Sequence, residues 1–108
     1  MAERIASFAD FWPVYLRAHG DPRCRALHYA AAVTGIVALA ALIATSDWRW
    51  LLGGVIASYT FAWVGHFFVE KNVPLTFRYP LWSFLADYRM FFRWLAGGLG
   101  EDLARAGA

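Results

Sequence analysis

A histidine and a carboxylate stand one helical turn apart in the second half of this 108-residue chain. His66 and Glu70 are four residues apart, a spacing that places two side chains on one face of a helix. They lie where a long uncharged segment runs into charge, shortly before Pro74. The sequence has two other histidines, His19 and His28. Imidazole and carboxylate groups are side chains that bind transition metals, so a metal site is the first chemistry to consider.

Two apolar segments must position these residues. Residues 26–46 carry no charge, residues 50–70 carry one only at their end, and each segment is long enough to cross a bilayer. The turn between them is short and contains tryptophans, which favour the membrane interface. The sequence therefore predicts an antiparallel hairpin of two membrane spans.

The hairpin brings the three histidines to one level. His28 lies about 4.5 Å along its helix from Arg25, and His66 lies about 6 Å along its helix from Glu70. In an antiparallel pair these two positions have nearly the same depth. His19 is one short loop away from the first span. We therefore expect all three histidines at one membrane face.

Such a cluster is suited to a catalytic Fe(II), Zn or Mn ion, which needs nitrogen ligands, an acid and open coordination positions. Glu70 is a further candidate ligand, and so is Asp87 from the last predicted helix. The alternative is that each histidine only caps a helix end or bonds a backbone carbonyl. Glu70 could likewise pair with a nearby cation: Lys71, Arg78 or Arg25.

Three basic residues near this face have two interpretations. Arg25, Lys71 and Arg78 could hold the carboxylate of an acyl substrate beside the metal, or they could serve only as determinants of membrane topology. Four aromatic residues could line a groove for the acyl chain or simply pack: Phe11, Trp12, Phe67 and Phe68.

The fold class predicted for the chain is all-α. Residues 3–19 and 80–97 show the periodicity of amphipathic helices that lie in the membrane interface or insert partly, and the residues after 97 are typical of a loose polar tail. With 60% hydrophobic and 19% aromatic residues, a soluble chain of this size could not bury its apolar surface. We therefore predict an integral membrane protein with one domain, 1–108.

Charge predicts the orientation and excludes one class of partner. A net charge of +2 is too small to indicate nucleic acid binding. Basic residues collect before the first span and after the second, with one arginine in the turn. By the positive-inside rule, both termini and the histidines face the cytoplasm. The lipid bilayer is then the main partner of the chain.

Four separated motifs resemble a known family: FWPVYLRAH at 11–19, RALH at 25–28, WVGHFFVEKNVP at 63–74 and YPLWS at 79–83, followed by Asp87 and Met90. They are similar to the bacterial branch of the Mpo-like family, small integral membrane proteins named for a fungal 2-hydroxy fatty acid dioxygenase. The resemblance covers roughly residues 8–92. It implies His19, His28 and His66 as catalytic metal ligands, Fe(II) as the cofactor and the bacterial inner membrane as the location.

The leading hypothesis is thus an Fe(II)-dependent dioxygenase of fatty acid α-oxidation. The resemblance implies that a 2-hydroxy fatty acid and O2 enter and that a fatty acid one carbon shorter leaves. Two other hypotheses stay open. One is a membrane module without catalysis that binds lipid or a partner protein, and the other is a zinc-dependent lipid hydrolase.

Overall fold

The computed structural model describes residues 4–108, and all regular structure in that range is helical. The five α-helices are α1 Phe8–Ala18, α2 Pro22–Thr45, α3 Arg49–Val64, α4 Pro80–Leu95 and α5 Leu99–Ala106. A π-helical turn, Gly65–Glu70, continues α3, and a 3-10 turn, Leu75–Phe77, precedes α4. The prediction of an all-helical fold is confirmed for these residues.

Two helices are long and apolar enough to cross a membrane: α2, with 24 residues, and α3 with its π-helical turn, with 22. α2 begins at Pro22, four residues before the uncharged segment, because Asp21 caps it. The Asp21 carboxylate accepts a hydrogen bond from Arg23 N at 2.8 Å, and proline suits the first position of a helix. α2 ends before Ser46, which adopts a left-handed conformation with φ 55°.

Small residues let α2 and α3 pack closely in antiparallel register. A Cβ on Gly54 would lie 2.4 Å from the Cβ of Ala38, and a Cβ on Gly65 would lie 3.0 Å from Cys24 Sγ. Position 54 of α3 therefore faces position 38 of α2, and position 65 faces position 24, near the other end. The second of these contacts brings His66 close to the start of α2.

The outward faces of the hairpin carry large apolar side chains. Val37, Leu39, Ile43, Leu51 and Ile56 are each more than half exposed. A continuous apolar surface of this kind is unusual in a soluble monomer and is what a lipid environment requires. The hairpin surface is therefore compatible with membrane insertion.

The hydrophobic core lies at the open end of the hairpin, where α1, α4 and α5 pack together. Phe11, Tyr15 and Leu16 of α1 are fully buried there, with Met90 of α4 and Leu99 of α5. The apolar side of α1 thus contacts other helices. That α1 and α4 also lie in the membrane interface stays a prediction.

The terminal helices differ from the predicted bounds. α1 begins at Phe8, because Ser7 is extended and its hydroxyl accepts a hydrogen bond from Asp10 N at 3.2 Å. Residue 3, where a helix was expected to start, lies outside the described residues. α4 ends at Leu95. The prediction of a loose tail after residue 97 is wrong, since α5 forms there and packs on α1 and α4.

Candidate metal centre

His19 follows the last residue of α1, and the residue is 1% exposed. Its Nδ1 lies 2.6 Å from Tyr15 O, and the Tyr15 ring stacks on it with the centroids 4.0 Å apart. A carbonyl oxygen can only accept a hydrogen bond, so Nδ1 of His19 carries the proton. The lone pair of the neutral ring is then on Nε2.

His28 lies in the second turn of α2 and is 2% exposed. Its Nδ1 lies 2.8 Å from Cys24 O, one turn earlier in the same helix. The same reasoning places the proton of His28 on Nδ1 and the lone pair on Nε2. One alternative considered from the sequence was that each histidine bonds a backbone carbonyl. This holds for one ring nitrogen of His19 and of His28, and the other nitrogen of each ring is left available.

His66 is held by the π-helical turn and by Asn72. Lys71 N and Asn72 N both donate to His66 O, and Lys71 adopts φ 58°, which ends the turn. Asn72 Nδ2 donates to Ala18 O at 3.0 Å, which directs its Oδ1 to His66 Nδ1 at 2.7 Å. An amide oxygen accepts, so Nδ1 of His66 is also the protonated nitrogen. Asn72 thus ties His66 to the end of α1, next to His19.

The three rings meet edge to face, with centroids 4.4, 4.5 and 4.9 Å apart. One nitrogen from each ring can be chosen so that all three lie within 4.8 Å of one another. The Nε2 atoms of His19 and His28 are 3.2 Å apart. With all three Nδ1 atoms acting as donors, only lone pairs face one another, and such lone pairs require a cation or an additional proton between them.

Burial favours the neutral form of His19. Burial, and then the neighbouring His28 and His66, hold the pKa of His19 well below its usual value. A neutral imidazole is the form that binds a metal. Three imidazoles with donor partners on their outer nitrogens form a donor set that suits iron, zinc, copper or nickel.

The two candidate carboxylate ligands lie outside this cluster. Among the described residues, the group that could hold a metal consists of the three histidines alone. Glu70 Oε1 accepts a hydrogen bond from Asp21 N at 2.6 Å, which ties the end of the π-helical turn to the loop before α2. Asp87 instead accepts a hydrogen bond from Tyr15 OH at 2.5 Å.

Asp87 and Tyr15 form a buried polar pair beside the histidines. Burial raises the pKa of the Asp87 carboxyl to about 7. Burial, followed by the charge of Asp87, raises the pKa of Tyr15 well above 10.0, so the phenol keeps its proton and donates. Since Tyr15 also accepts from His19 through its carbonyl, this pair is connected to the candidate metal ligands.

The three basic residues have separate surroundings. Arg25 Nη1 donates to His19 O at 2.8 Å and to Gly20 O at 2.9 Å, which fixes the loop that carries His19. Lys71 and Arg78 have exposed side chains, and the Arg78 guanidinium lies 5.7 Å from the centroid of the Tyr79 ring. Arg25 therefore has a contact that positions the loop of the site. That one of the three basic residues binds a substrate carboxylate stays a prediction.

An apolar cavity of about 230 Å³ begins at His28 and runs along the hairpin. It reaches from His28 and Asp87 to Leu39 and Leu51, between α2 and α3, and α4 contributes Tyr88. Small residues of α2 and α3 form part of its lining. A smaller polar pocket surrounds the histidines and shares three residues with this cavity: His28, Ala62 and Asp87.

The apolar cavity does not lie along the aromatic residues that were considered for an acyl-chain groove. Phe11 and Trp12 belong to the core of α1 and α4, and Phe68 is 74% exposed. Asn72, Tyr15 and the small residues along the cavity were not singled out from the sequence. Asn72 was within reach of sequence reasoning, since an amide close to a candidate ligand is a suitable partner for its second nitrogen.

A family model described as 2-hydroxy-palmitic acid dioxygenase Mpo1-like matches residues 5–99. No curated protein and no solved structure matches the chain. The matched range covers most of the chain and includes all three histidines, the π-helical turn and the cavity. The family resemblance predicted from the four motifs is thereby confirmed, and the chain belongs to the Mpo1-like family.

Proposed function

We propose that the protein is a membrane-embedded, Fe(II)-dependent dioxygenase that shortens 2-hydroxy fatty acids by one carbon. The observation that carries this proposal is the convergence of three imidazole lone pairs at the end of an apolar cavity. The description of the family, which names a dioxygenase of 2-hydroxy-palmitic acid, supports the substrate and the reaction class.

Nε2 of His19, His28 and His66 would hold the metal. Three imidazoles leave coordination positions open, as a catalytic site requires, and each ring already has a partner that fixes its orientation. Ferrous iron bound there would supply the redox chemistry and a Lewis acid for the carboxylate and 2-hydroxyl of the substrate.

The stoichiometry of this reaction needs no further reductant. A 2-hydroxy acid, R–CH(OH)–COOH, and one O2 give R–COOH, CO2 and one water. The bond between the first and second carbons breaks, and the second carbon becomes the new carboxyl carbon. The substrate loses four electrons, and O2 takes up the same four.

The protein contributes orientation and exclusion of water. The apolar cavity would hold the part of the acyl chain next to the polar end, and the rest would extend between the helices or into lipid. His28 and Asp87 line both the cavity and the polar pocket, so a substrate in the cavity would present its polar end to the histidines. A substrate of this kind, dissolved in the bilayer, explains why the enzyme is membrane-embedded.

The test uses purified protein loaded with Fe(II) and given 2-hydroxyhexadecanoate labelled at the carboxyl carbon. We expect labelled CO2 and pentadecanoate in equal amounts, with one O2 consumed for each. His66→Ala should remove both the bound metal and the products, whereas Thr60→Ala, on an exposed position of α3, should change neither. Unchanged product formation by His66→Ala would contradict the proposal.

Dependence on O2 and metal content separate the two alternatives. The donor set is also suitable for a zinc-dependent lipid hydrolase, since three histidines and an open position suit catalytic zinc. The activity of such a hydrolase would not depend on O2. A lipid- or partner-binding module without catalysis would not bind a stoichiometric amount of metal after incubation with Fe(II) or Zn²⁺.

A further inference from the structure

Ser83 has a buried hydroxyl for which the fold provides no partner. The residue lies in the first turn of α4 and is 3% exposed. Its Oγ is the one buried side-chain nitrogen or oxygen atom among residues 4–108 that makes no hydrogen bond. A helical serine commonly donates to the carbonyl one turn earlier, but here Tyr79 O accepts only Ser83 N, at 2.9 Å. An unpaired buried hydroxyl destabilises a fold, so a partner outside the chain is expected.

The surroundings of Ser83 indicate which kind of partner this is. Ser83 lines the polar pocket that also contains His19, His28 and His66. Asp87 lies one helical turn after Ser83 and lines both this pocket and the apolar cavity. A ligand whose tail lies in the cavity would therefore have its polar end beside the three histidines and Ser83.

Several other donors close to the pocket already have partners within the protein. Tyr15 OH donates to Asp87, and Nη1 of Arg25 donates to two backbone carbonyls. The Nδ1 atoms of the histidines are occupied by acceptors on the protein. The Ser83 hydroxyl is thus a group at this pocket that can form a new hydrogen bond without breaking an existing one.

We propose that Ser83 binds the polar end of the substrate by a hydrogen bond from its hydroxyl to a carboxylate or 2-hydroxyl oxygen. This inference rests on the proposed function, since it takes a 2-hydroxy fatty acid as the ligand. It assigns Ser83 to substrate binding and leaves the three histidines as the metal ligands. Ser83→Ala should then weaken binding and leave the fold intact.

The experiment measures binding without turnover. Protein loaded with Zn²⁺, which does not change oxidation state, is titrated with 2-hydroxyhexadecanoate by calorimetry, and its melting temperature is recorded in the same detergent. We expect Ser83→Ala to bind about tenfold more weakly than the unmodified protein, the effect of losing one hydrogen bond to a charged group. Its metal content and melting temperature should be unchanged or slightly higher, because no hydrogen bond within the protein is lost.

Ser58→Ala provides the structural comparison. Ser58 Oγ donates to Ala31 O at 3.0 Å, between α3 and α2, so this variant should have a lower melting temperature. If Ser83→Ala also melts lower, its hydroxyl supports the fold, and the proposal is overturned. Equal binding by Ser83→Ala and the unmodified protein would also overturn it. If the unmodified zinc-loaded protein binds no 2-hydroxyhexadecanoate, the proposed function itself fails.

Discussion

At the scale of single residues, the site depends on what the second nitrogen of each histidine does. Two backbone carbonyls and one side-chain amide oxygen accept hydrogen bonds from the three Nδ1–H groups. A hydrogen bond to the backbone and a metal-binding role are therefore compatible in the same side chain. The outer partner fixes the tautomer, and the tautomer directs the lone pair inward.

Asn72 offers a direct test of this arrangement. Asn72→Ala removes the acceptor for His66 Nδ1 and the donor to Ala18 O. We expect the affinity for Zn²⁺ or Fe(II) to fall about 10- to 100-fold, as is usual when the partner of a metal-bound histidine is lost. Competition with a chelator of known affinity measures this change.

Two further variants provide a control and a case of intermediate metal affinity. Val73→Ala changes a side chain that is 64% exposed and should leave the affinity unchanged. Asn72→Asp keeps an acceptor for His66 and loses the donor to Ala18, so its affinity should lie between those of Asn72→Ala and the unmodified protein. Wild-type affinity in Asn72→Ala would show that Asn72 does not orient His66.

The sequence predicted the convergence of the histidines because depth in a hairpin follows from counting residues. It could not predict the geometry of Glu70. The spacing of His66 and Glu70 places both on one face only in an α-helix, and here the turn is π-helical, which changes the angle between the two side chains. Ser83 ends the YPLWS motif, but its unpaired hydroxyl had no sequence signal, since a missing partner is defined only by the surroundings in the fold.

At the scale of helices, long apolar segments were predictable and α5 was not. α5 has only eight residues, and its buried face includes Asp102, whose carboxylate pairs with Arg93 of α4 at 2.8 Å. The charge of Asp102 makes the segment resemble a solvated tail. The spacing of Leu99, Leu103 and Ala106 and the left-handed Gly107 are helix signals that the composition concealed.

The close contact between α2 and α3 gives a prediction at this scale. Gly54→Ala would place a Cβ 2.4 Å from the Cβ of Ala38 and force the helices apart, whereas Gly53→Ala has no atom within 4 Å. Both changes improve helix propensity by about 1 kcal/mol. Overpacking costs about 1–3 kcal/mol, so Gly54→Ala should be less stable than Gly53→Ala by about that amount.

Unfolding in detergent micelles measures this difference in stability. Exchanging the residues at positions 38 and 54 tests whether the close contact between them causes it. The double variant Ala38→Gly with Gly54→Ala returns the missing space and should recover most of the lost stability. Because positions 38 and 54 both line the apolar cavity, Gly54→Ala should also weaken binding of long 2-hydroxy acids. Equal stability of Gly53→Ala and Gly54→Ala would contradict the packing described for the hairpin.

At the scale of the whole molecule, the distribution of charge and the position of the site are linked. The hairpin turn carries Arg49, which is paired with Asp47 at 2.7 Å. The opposite end carries α1, α4 and α5 with the other basic residues, and it also contains the three histidines. We therefore propose that the metal centre opens to the cytoplasm and that the turn lies on the far side of the membrane.

A single-cysteine labelling experiment tests this orientation, because the natural cysteine, Cys24, is 0% exposed and should not react. Thr45→Cys places an exposed thiol at the turn, and Ala104→Cys places one on α5. A membrane-impermeant maleimide should label Thr45→Cys in intact cells and Ala104→Cys only after the membrane is opened. The reverse pattern would place the histidines outside the cytoplasm, and labelling of both thiols in intact cells would contradict a two-span hairpin.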